Sequence, residues 1–441
     1  MSAVLQFGLT PKTKPLSPKR AAMVAALDVG TSKIVCLIAR LKPQMAPDSL
    51  RRRSHMIEVV GFGHTLARGM KAGAVADLGE TEQAVRQAVD LAERSANMHL
   101  NSVVVSLSAG KPASELMTAT VNVGGKTVAD GDITRVLQAG SQHSVRPGRV
   151  VLHSLPIGYS LDEVTGIRDP RGMLGRRFGI DMHAMTADIA VVRNLILAIE
   201  RCHLEVAALV ASPYAAGLAV LADDEADLGA ALVDMGAGTT TIAVFAGGRF
   251  VHGDGFAVGG HHVTMDIARG LNTRIAESER IKTLYGSVLV GGLDERDMIA
   301  IPPVDDDGHE GPQLVSRAQL VRIVRPRVEE ILEMVRDRLR ASPFAAEPRG
   351  RVILTGGASQ LTGLVDLAAQ ILGRPVRIGR PLGVAGLPEE AKGPAFAATA
   401  GLLVYPQAAH LEHFEPQGMQ YAATGTGGYI TRVGRWLRES F

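Results

Sequence analysis

The chain has 441 residues, 46% of them hydrophobic but only 4% aromatic, with 49 glycines and a formal net charge of +2. That near-neutral balance argues against a nucleic-acid binder and leaves any basic function to a local patch. Cys36 and Cys202, the two cysteines, cannot frame a disulfide scaffold and show no metal-ligand spacing, so a reducing, cytoplasmic setting is expected.

No apolar run reaches the roughly 18–20 residues that a bilayer span needs. Residues 1–22 carry basic and proline residues without a signal-type apolar core, and are expected to form a flexible lead-in. Residues 26–39, ALDVGTSKIVCLIA, read as a strand, a glycine turn and a returning strand. Helical apolar spacing covers residues 80–96, and SVVVSL at 102–107 reads as a strand. A helix is predicted at 133–141, strands near 150–159 and 183–192, a helix at 193–201, and a strand passing into a helix over 206–222.

Residues 231–245, ALVDMGAGTTTIAVF, then repeat the opening pattern: apolar run, Asp-x-Gly, hydroxyl-rich turn, β-branched run. Two helical stretches follow at 259–272 and 277–286, then a polar loop, then a long helix at 316–339 that Pro326 is expected to bend or split. Residues 351–364, RVILTGGASQLTGL, read as strand, glycine turn and helix, and 394–404 as a small-residue helix. From 406 to 428 the chain becomes polar and rich in Gly, Gln and Pro, as a linker does.

The two Asp-x-Gly turns are phosphate-loop candidates. Glycine lets backbone N–H groups approach phosphate oxygens, and the flanking hydroxyls add donors. Alone, either motif is a common β-turn. Duplicated, they suggest two opposed hairpins clamping a polyphosphate, with the aspartates holding Mg²⁺ through water. The strand-to-helix turn at 355–359 offers bare backbone to an adenosine. Glu279 and Lys282, three apart, share one helix face.

The ordered set DVGTSK, VDMGAGTTT, LTGGASQLTGL and PAFAATAGLLV resembles the actin, sugar-kinase and heat-shock-chaperone ATPase superfamily. Within it, RGMKAGAVADL, GRVVLHSLPIGYSLD, IERCHLEV, MDIARG and VRIGRPLGVAGL are similar to the bacterial cell-division family FtsA. The resemblance covers residues 24–405 and returns at the tail. It implies an α/β, actin-like ATPase fold: two duplicated halves around a nucleotide cleft, an FtsA-type 1C subdomain and a C-terminal amphipathic helix. The expected division is 1A at 23–100 and 181–215, 1C at 101–180, 2A at 216–254 and 348–405, and 2B at 255–347. A linker at 406–428 and a membrane-targeting helix at 429–441 follow.

Carried over residue by residue, the resemblance assigns Asp28, Gly30, Thr31, Ser32 and Lys33 to the first phosphate loop, and Asp234, Gly236, Gly238, Thr239 and Thr240 to the second. Gly356, Gly357 and Ser359 match the adenosine motif, with Glu279 and Lys282 at the adenosine end. ATP and Mg²⁺ are the implied cofactors, with Asp28 and Asp234 reaching the metal through water. No catalytic residue is assigned. Hydrolysing actins place a water-orienting glutamine six residues before a tyrosine, and the matching position before Tyr214 is Ala208. A nucleotide switch with at most slow hydrolysis is therefore expected.

In the tail, Ile430, Val433, Trp436, Leu437 and Phe441 fall within an arc of about 140–160°, while Arg432, Arg435 and Arg438 gather opposite. Such a helix, roughly 18 Å long, suits the interface of an anionic membrane and cannot span it. The alternative is a terminal helix docked on the protein's own body. Adjacent His261 and His262 diverge on a helix and lack a third ligand, so no metal site is expected there.

The resemblance further implies a protein that polymerises and tethers filaments of the tubulin-like FtsZ to the cytoplasmic face of the inner membrane at the division septum, recruiting later division proteins. The FtsZ C-terminal peptide is expected on 2B, with Arg327, in the cluster Arg322, Arg325 and Arg327, as its contact. The alternatives are another actin-superfamily scaffold, of the pilus-assembly or shape type, and a small-molecule kinase.

Overall fold

The computed structural model describes residues 10–13, 16–44, 53–143, 146–289, 291, 295–302, 312–347, 349–413 and 415–416. The predicted tail helix, with Ile430 to Phe441, lies outside the described residues.

Two sheets share one plan. In the first, Ala22–Val29 runs antiparallel to Lys33–Pro43 and parallel to Ser102–Leu107. In the second, Ala230–Met235 runs antiparallel to Thr240–Ala246 and parallel to Arg351–Thr355. Both central strands are rich in Ala, Leu and Val and are buried at their centres, Ala25, Ala26 and Leu27 in the first and Ala230, Ala231, Leu232 and Val233 in the second, as internal strands covered by helices must be. Outer strands bring the first sheet to six and the second to five. Helix Leu78–Ala96 covers the first sheet; Asp77 Oδ1 accepts the Glu80 N–H at its start, and Asn97 ends it in a left-handed turn. The duplicated pattern in the sequence is thus a duplicated sheet.

A four-stranded antiparallel sheet is inserted into the first half, in the order Val164–Ile167, Arg149–Leu161, Arg177–Asp188, Ala113–Asn122, with helix Asp130–Ser141 on one face. Its small core gathers Val136, Phe178, Ile180 and Met182. The expected 101–180 bounds for this unit need correction at both ends. Ser102–Leu107 pairs with Ala22–Val29 and Glu205–Ala211 in the first sheet, and Ile180 lies inside the strand Arg177–Asp188.

In the second half, helices Gly260–Gly270, Ile275–Tyr285 and Arg317–Arg340 pack with the hairpin Met298–Ile301/Gln313–Ser316 around one core. The long helix is not split at Pro326 but continues from Arg317 to Arg340. Arg322, whose carbonyl loses its helical partner to the proline, and Pro326 both lie on the exposed face of the helix, where a proline is tolerated best.

Two further expectations are corrected at the ends of the described chain. The linker was to begin at 406, but helix Ala397–Ala408 runs through Pro406 and a short turn extends it to Leu411. The lead-in is expected to be flexible over 1–22; residues 1–9 and 14–15 lie outside the described residues, but Thr10 is buried and its hydroxyl donates to Val151 O at 3.1 Å. The two segments meet where Lys12 Nζ donates to Glu412 Oε2 at 2.5 Å and to Leu152 O. Glu412 Oε1 accepts from His153 Nδ1 at 2.8 Å. His153 Nε2 accepts the Ala211 N–H at 2.9 Å, which places the imidazole proton on Nδ1.

Candidate functional site

Both phosphate-loop candidates close with the same bond. Gly30 N–H donates to Lys33 O at 3.0 Å, and Gly236 N–H donates to Thr239 O at 2.9 Å. The tips touch: a side chain on Gly238 would stand 2.5 Å from Thr31 Oγ1 and 3.0 Å from the Ala72 Cα. Thr31 Oγ1 also accepts the Gly73 N–H at 2.9 Å, from the small hairpin Met70–Lys71/Ala74–Val75. The RGMKAGAV segment therefore sits over the meeting point of the two halves.

Between the loops lies a cavity of about 490 Å³, within the range of small-molecule sites. It brings together Asp28, Gly30, Thr31, Ser32, Lys33, Asp234, Gly236, Thr239, Glu279, Lys282, Gly356 and Gly357, all expected from the sequence. Three expected residues stand back from it. Gly238 is spent on the loop contact. Thr240 is fully buried and its hydroxyl donates to Val258 O at 2.8 Å. Ser359 turns its hydroxyl to Gly356 O at 2.7 Å and braces its own turn. Gly356 has φ 85°, and any Cβ there would stand 2.4 Å from Asp234 Oδ1, so the adenosine turn backs directly onto the second aspartate.

The carboxylates are held differently. Asp28 accepts from Ser106 Oγ and, at 3.1 Å, from Thr399 Oγ1. Asp234 is pushed up to about 7, first by its removal from water and then by the charge of Asp28, with Lys33 opposing. Desolvation brings Lys33 down to about 8 against the pull of both aspartates. Its ammonium lies 3.3 Å above the centre of the Phe396 ring. Two acids and one lysine under desolvation suit a polyanion that arrives with a cation. Among the described residues no group of three or more His, Cys, Asp or Glu side chains is placed to hold a metal. As a donor set, the two cavity-lining carboxylates suit a hard divalent cation that keeps most of its own water.

At the far end Lys282 Nζ donates to Glu279 Oε2 at 2.7 Å, Thr264 Oγ1 at 2.8 Å and Gly260 O at 3.1 Å. Burial raises the Glu279 carboxyl, but Lys282, the Thr264 hydroxyl and His261 together outweigh it and hold the carboxyl below the usual range. The segment after Tyr285 pairs with the adenosine turn: Val288 N–H donates to Thr362 O at 3.0 Å and Thr362 N–H to Gly286 O at 3.3 Å. Leu284, Leu361 and Thr362 wall this end of the cavity.

Sequence reading missed Ser108, Ser212 and Gln360, which also line the cavity. Ala208 is fully buried within the strand Glu205–Ala211, and Ser212, four residues on, is the one that reaches the cleft. Arg327 is not a free cation. Its guanidinium grips Asp266 with Nε at 2.6 Å and Nη2 at 3.2 Å, and it also pairs with Glu330. His262 Nδ1 accepts the Gly259 N–H at 3.2 Å and serves its own helix start.

Two sheets of one plan, paired glycine turns and a cleft between them define an actin-like, nucleotide-binding protein. The solved PilM–PilN type IV pilus biogenesis complex shares this fold, with a TM-score of 0.58 at 18% identity over 87% of this chain and 98% of that one. The model of the cell division protein FtsA matches residues 231–401, and that of the SHS2 domain inserted in FtsA matches residues 109–186, over the inserted four-stranded sheet. The cell division protein FtsA of Agrobacterium fabrum is 52% identical over 99% of this chain and 98% of its own length. That of Escherichia coli is 31% identical over 95% and 98%. The chain belongs to the FtsA family of cell division proteins.

Proposed function

We infer that the chain binds ATP with Mg²⁺ in the cleft, assembles through its own subdomains, and tethers FtsZ filaments to the cytoplasmic face of the inner membrane at the division site. The observation that carries the nucleotide reading is the pair of identically closed turns, at Gly30 and Gly236, meeting over Asp28 and Asp234. Asp28 and Asp234 hold Mg²⁺ through water, while Gly30, Thr31, Ser32, Lys33, Gly236 and Thr239 take the phosphates. Mg²⁺ supplies the positive charge that two carboxylates and a polyphosphate need in one cavity. Glu279, Lys282, Gly356 and Gly357 receive the adenosine.

The membrane reading rests on the pattern of Ile430, Val433, Trp436, Leu437 and Phe441 against three arginines. A helix so short binds weakly alone, and assembly multiplies tails without adding a new contact. For the FtsZ C-terminal peptide we favour the face of helix Arg317–Arg340. There an acidic peptide would have to draw Arg327 from Asp266, whereas Arg322 is exposed. Liposome flotation with anionic lipid tests the reading. The intact chain is expected to float and to carry FtsZ peptide with it. A chain lacking residues 429–441 that floats equally well would sink the tethering claim.

A further inference from the structure

The strand Glu205–Ala211 ends at the wall of the cleft, and helix Ser212–Val220 leaves from it with Ser212 as its first residue. Ser212 lines the cavity and is 2% exposed, yet its hydroxyl has no hydrogen-bond partner. Neighbouring hydroxyls are committed: Ser106 and Thr399 donate to Asp28, and Thr31 accepts from Gly73. Buried polar atoms are nearly always satisfied, and an orphan beside a binding cleft calls for an explanation.

The backbone behind Ser212, by contrast, is held firmly. Ala211 N–H is fixed on His153 Nε2, His153 is oriented by Glu412, and Lys12 closes the other oxygen of that carboxylate. Such buried support is what keeps one side chain in place on a cleft wall. Pro213 sets the first turn, and the N-terminal end of the helix dipole adds positive potential on the same wall. An unsatisfied hydroxyl and a helix start together form a half-built anion site, which an incoming phosphate oxygen completes.

We propose that Ser212 contacts the terminal phosphate of a nucleoside triphosphate, so that this wall of the cleft distinguishes triphosphate from diphosphate. The proposal rests on the nucleotide reading of the cleft and deepens it. The position that superfamily comparison would make polar is Ala208, which is buried away from the cavity. Ser212 supplies the polar group instead. A hydroxyl holds a phosphate oxygen but is a poor base, which suits a sensor of nucleotide state more than a site of fast hydrolysis.

The test is equilibrium binding of ADP and of a non-hydrolysable ATP analogue, each with Mg²⁺, to the full chain and to Ser212→Ala. The ratio of triphosphate to diphosphate affinity is expected to fall by roughly tenfold in the variant, the worth of one hydrogen bond to a charged group. An unaltered ratio, including equal losses for both nucleotides, would overturn the proposal. If the unsubstituted chain bound neither nucleotide, the reading of the cleft would fall, and the proposal with it. That failure is distinct from one seen only in the ratio. Amide hydrogen exchange on the unsubstituted chain gives a second reading. The first turn of Ser212–Val220 should be better protected with the triphosphate analogue than with ADP, and equal protection would contradict the assignment.

Discussion

Asp234 shows how a functional residue trades against stability. Its carboxyl, raised to about 7 by desolvation and by Asp28, is a group that folding places where ionisation is unfavourable. A carboxyl raised in the fold favours the folded state while protonated and costs stability as pH climbs from about 4 through 7. Asp234→Asn should therefore raise the stability of the nucleotide-free chain at pH 8 by about 1 kcal/mol, allowing for the partial exposure of the side chain. It should also weaken Mg²⁺-dependent ATP binding. Urea unfolding and nucleotide titration at pH 8 check the two halves of this prediction. The Lys12–Glu412–His153 cluster has the opposite sign. Burial holds His153 below its usual value, and Glu412 lies at about 2 because Lys12 and His153 outweigh its own desolvation. Protons thus favour the unfolded chain, for His153 below about 6.5 and for Glu412 as pH falls from about 4.5 towards 2. Glu412→Gln should cost about 3 kcal/mol at pH 7 and flatten the acid limb of the stability profile, as thermal melts from pH 8 to 3 would show. The second cluster has no local signature, whereas Asp28, Lys33 and Asp234 sit in the repeated Asp-x-Gly turns. The bonds that join Lys12, His153 and Glu412 span 259 and 400 residues, and no periodicity reports such a meeting.

At the scale of elements, helices Ser212–Val220 and Ala397–Ala408 cross in the first half with their backbones in near contact. A Cβ on Gly401 would lie 1.7 Å from the Ala215 carbonyl oxygen, so only glycine permits this approach. Gly401→Ala should destabilise by about 1–3 kcal/mol through forced separation. Both helices also reach the cleft, through Ser212 and Ala398, so nucleotide affinity should fall with stability in urea and titration measurements. The small residues of the later helix were visible in PAFAATAGLLV, but its partner was not. What could be read from the sequence was whatever repeats locally: the two Asp-x-Gly hairpins, the glycine turn at Gly356, the Glu279–Lys282 pair and the long helix. What could not be read was contributed singly from distant elements. Ser108 and Ser212 are lone hydroxyls at strand and helix ends, Phe396 lies under Lys33, and Thr399 holds Asp28. The inserted sheet was expected, but its ends were misjudged because Ser102–Leu107 looks alike in either sheet, and only its pairing with Ala22–Val29 decides.

For the whole molecule, the two sheets meet where Thr31 touches Gly238 and the 70–75 hairpin closes over both. A bound polyphosphate would add contacts to both halves at once, so nucleotide should lock their relative position. The root of the tail is fixed as well, because Glu412 is tied to Lys12 and His153 on the first half. If the tail carries the proposed membrane helix, assembly would multiply its copies and raise avidity without a new contact. The measurement closest to the central claim is sedimentation of the intact chain with anionic liposomes over a range of protein concentrations, with and without ATP and Mg²⁺. Membrane binding that rises more steeply than in proportion to protein, and does so with nucleotide present, is the predicted result. Binding that is strictly proportional to protein and identical with or without ATP would contradict it.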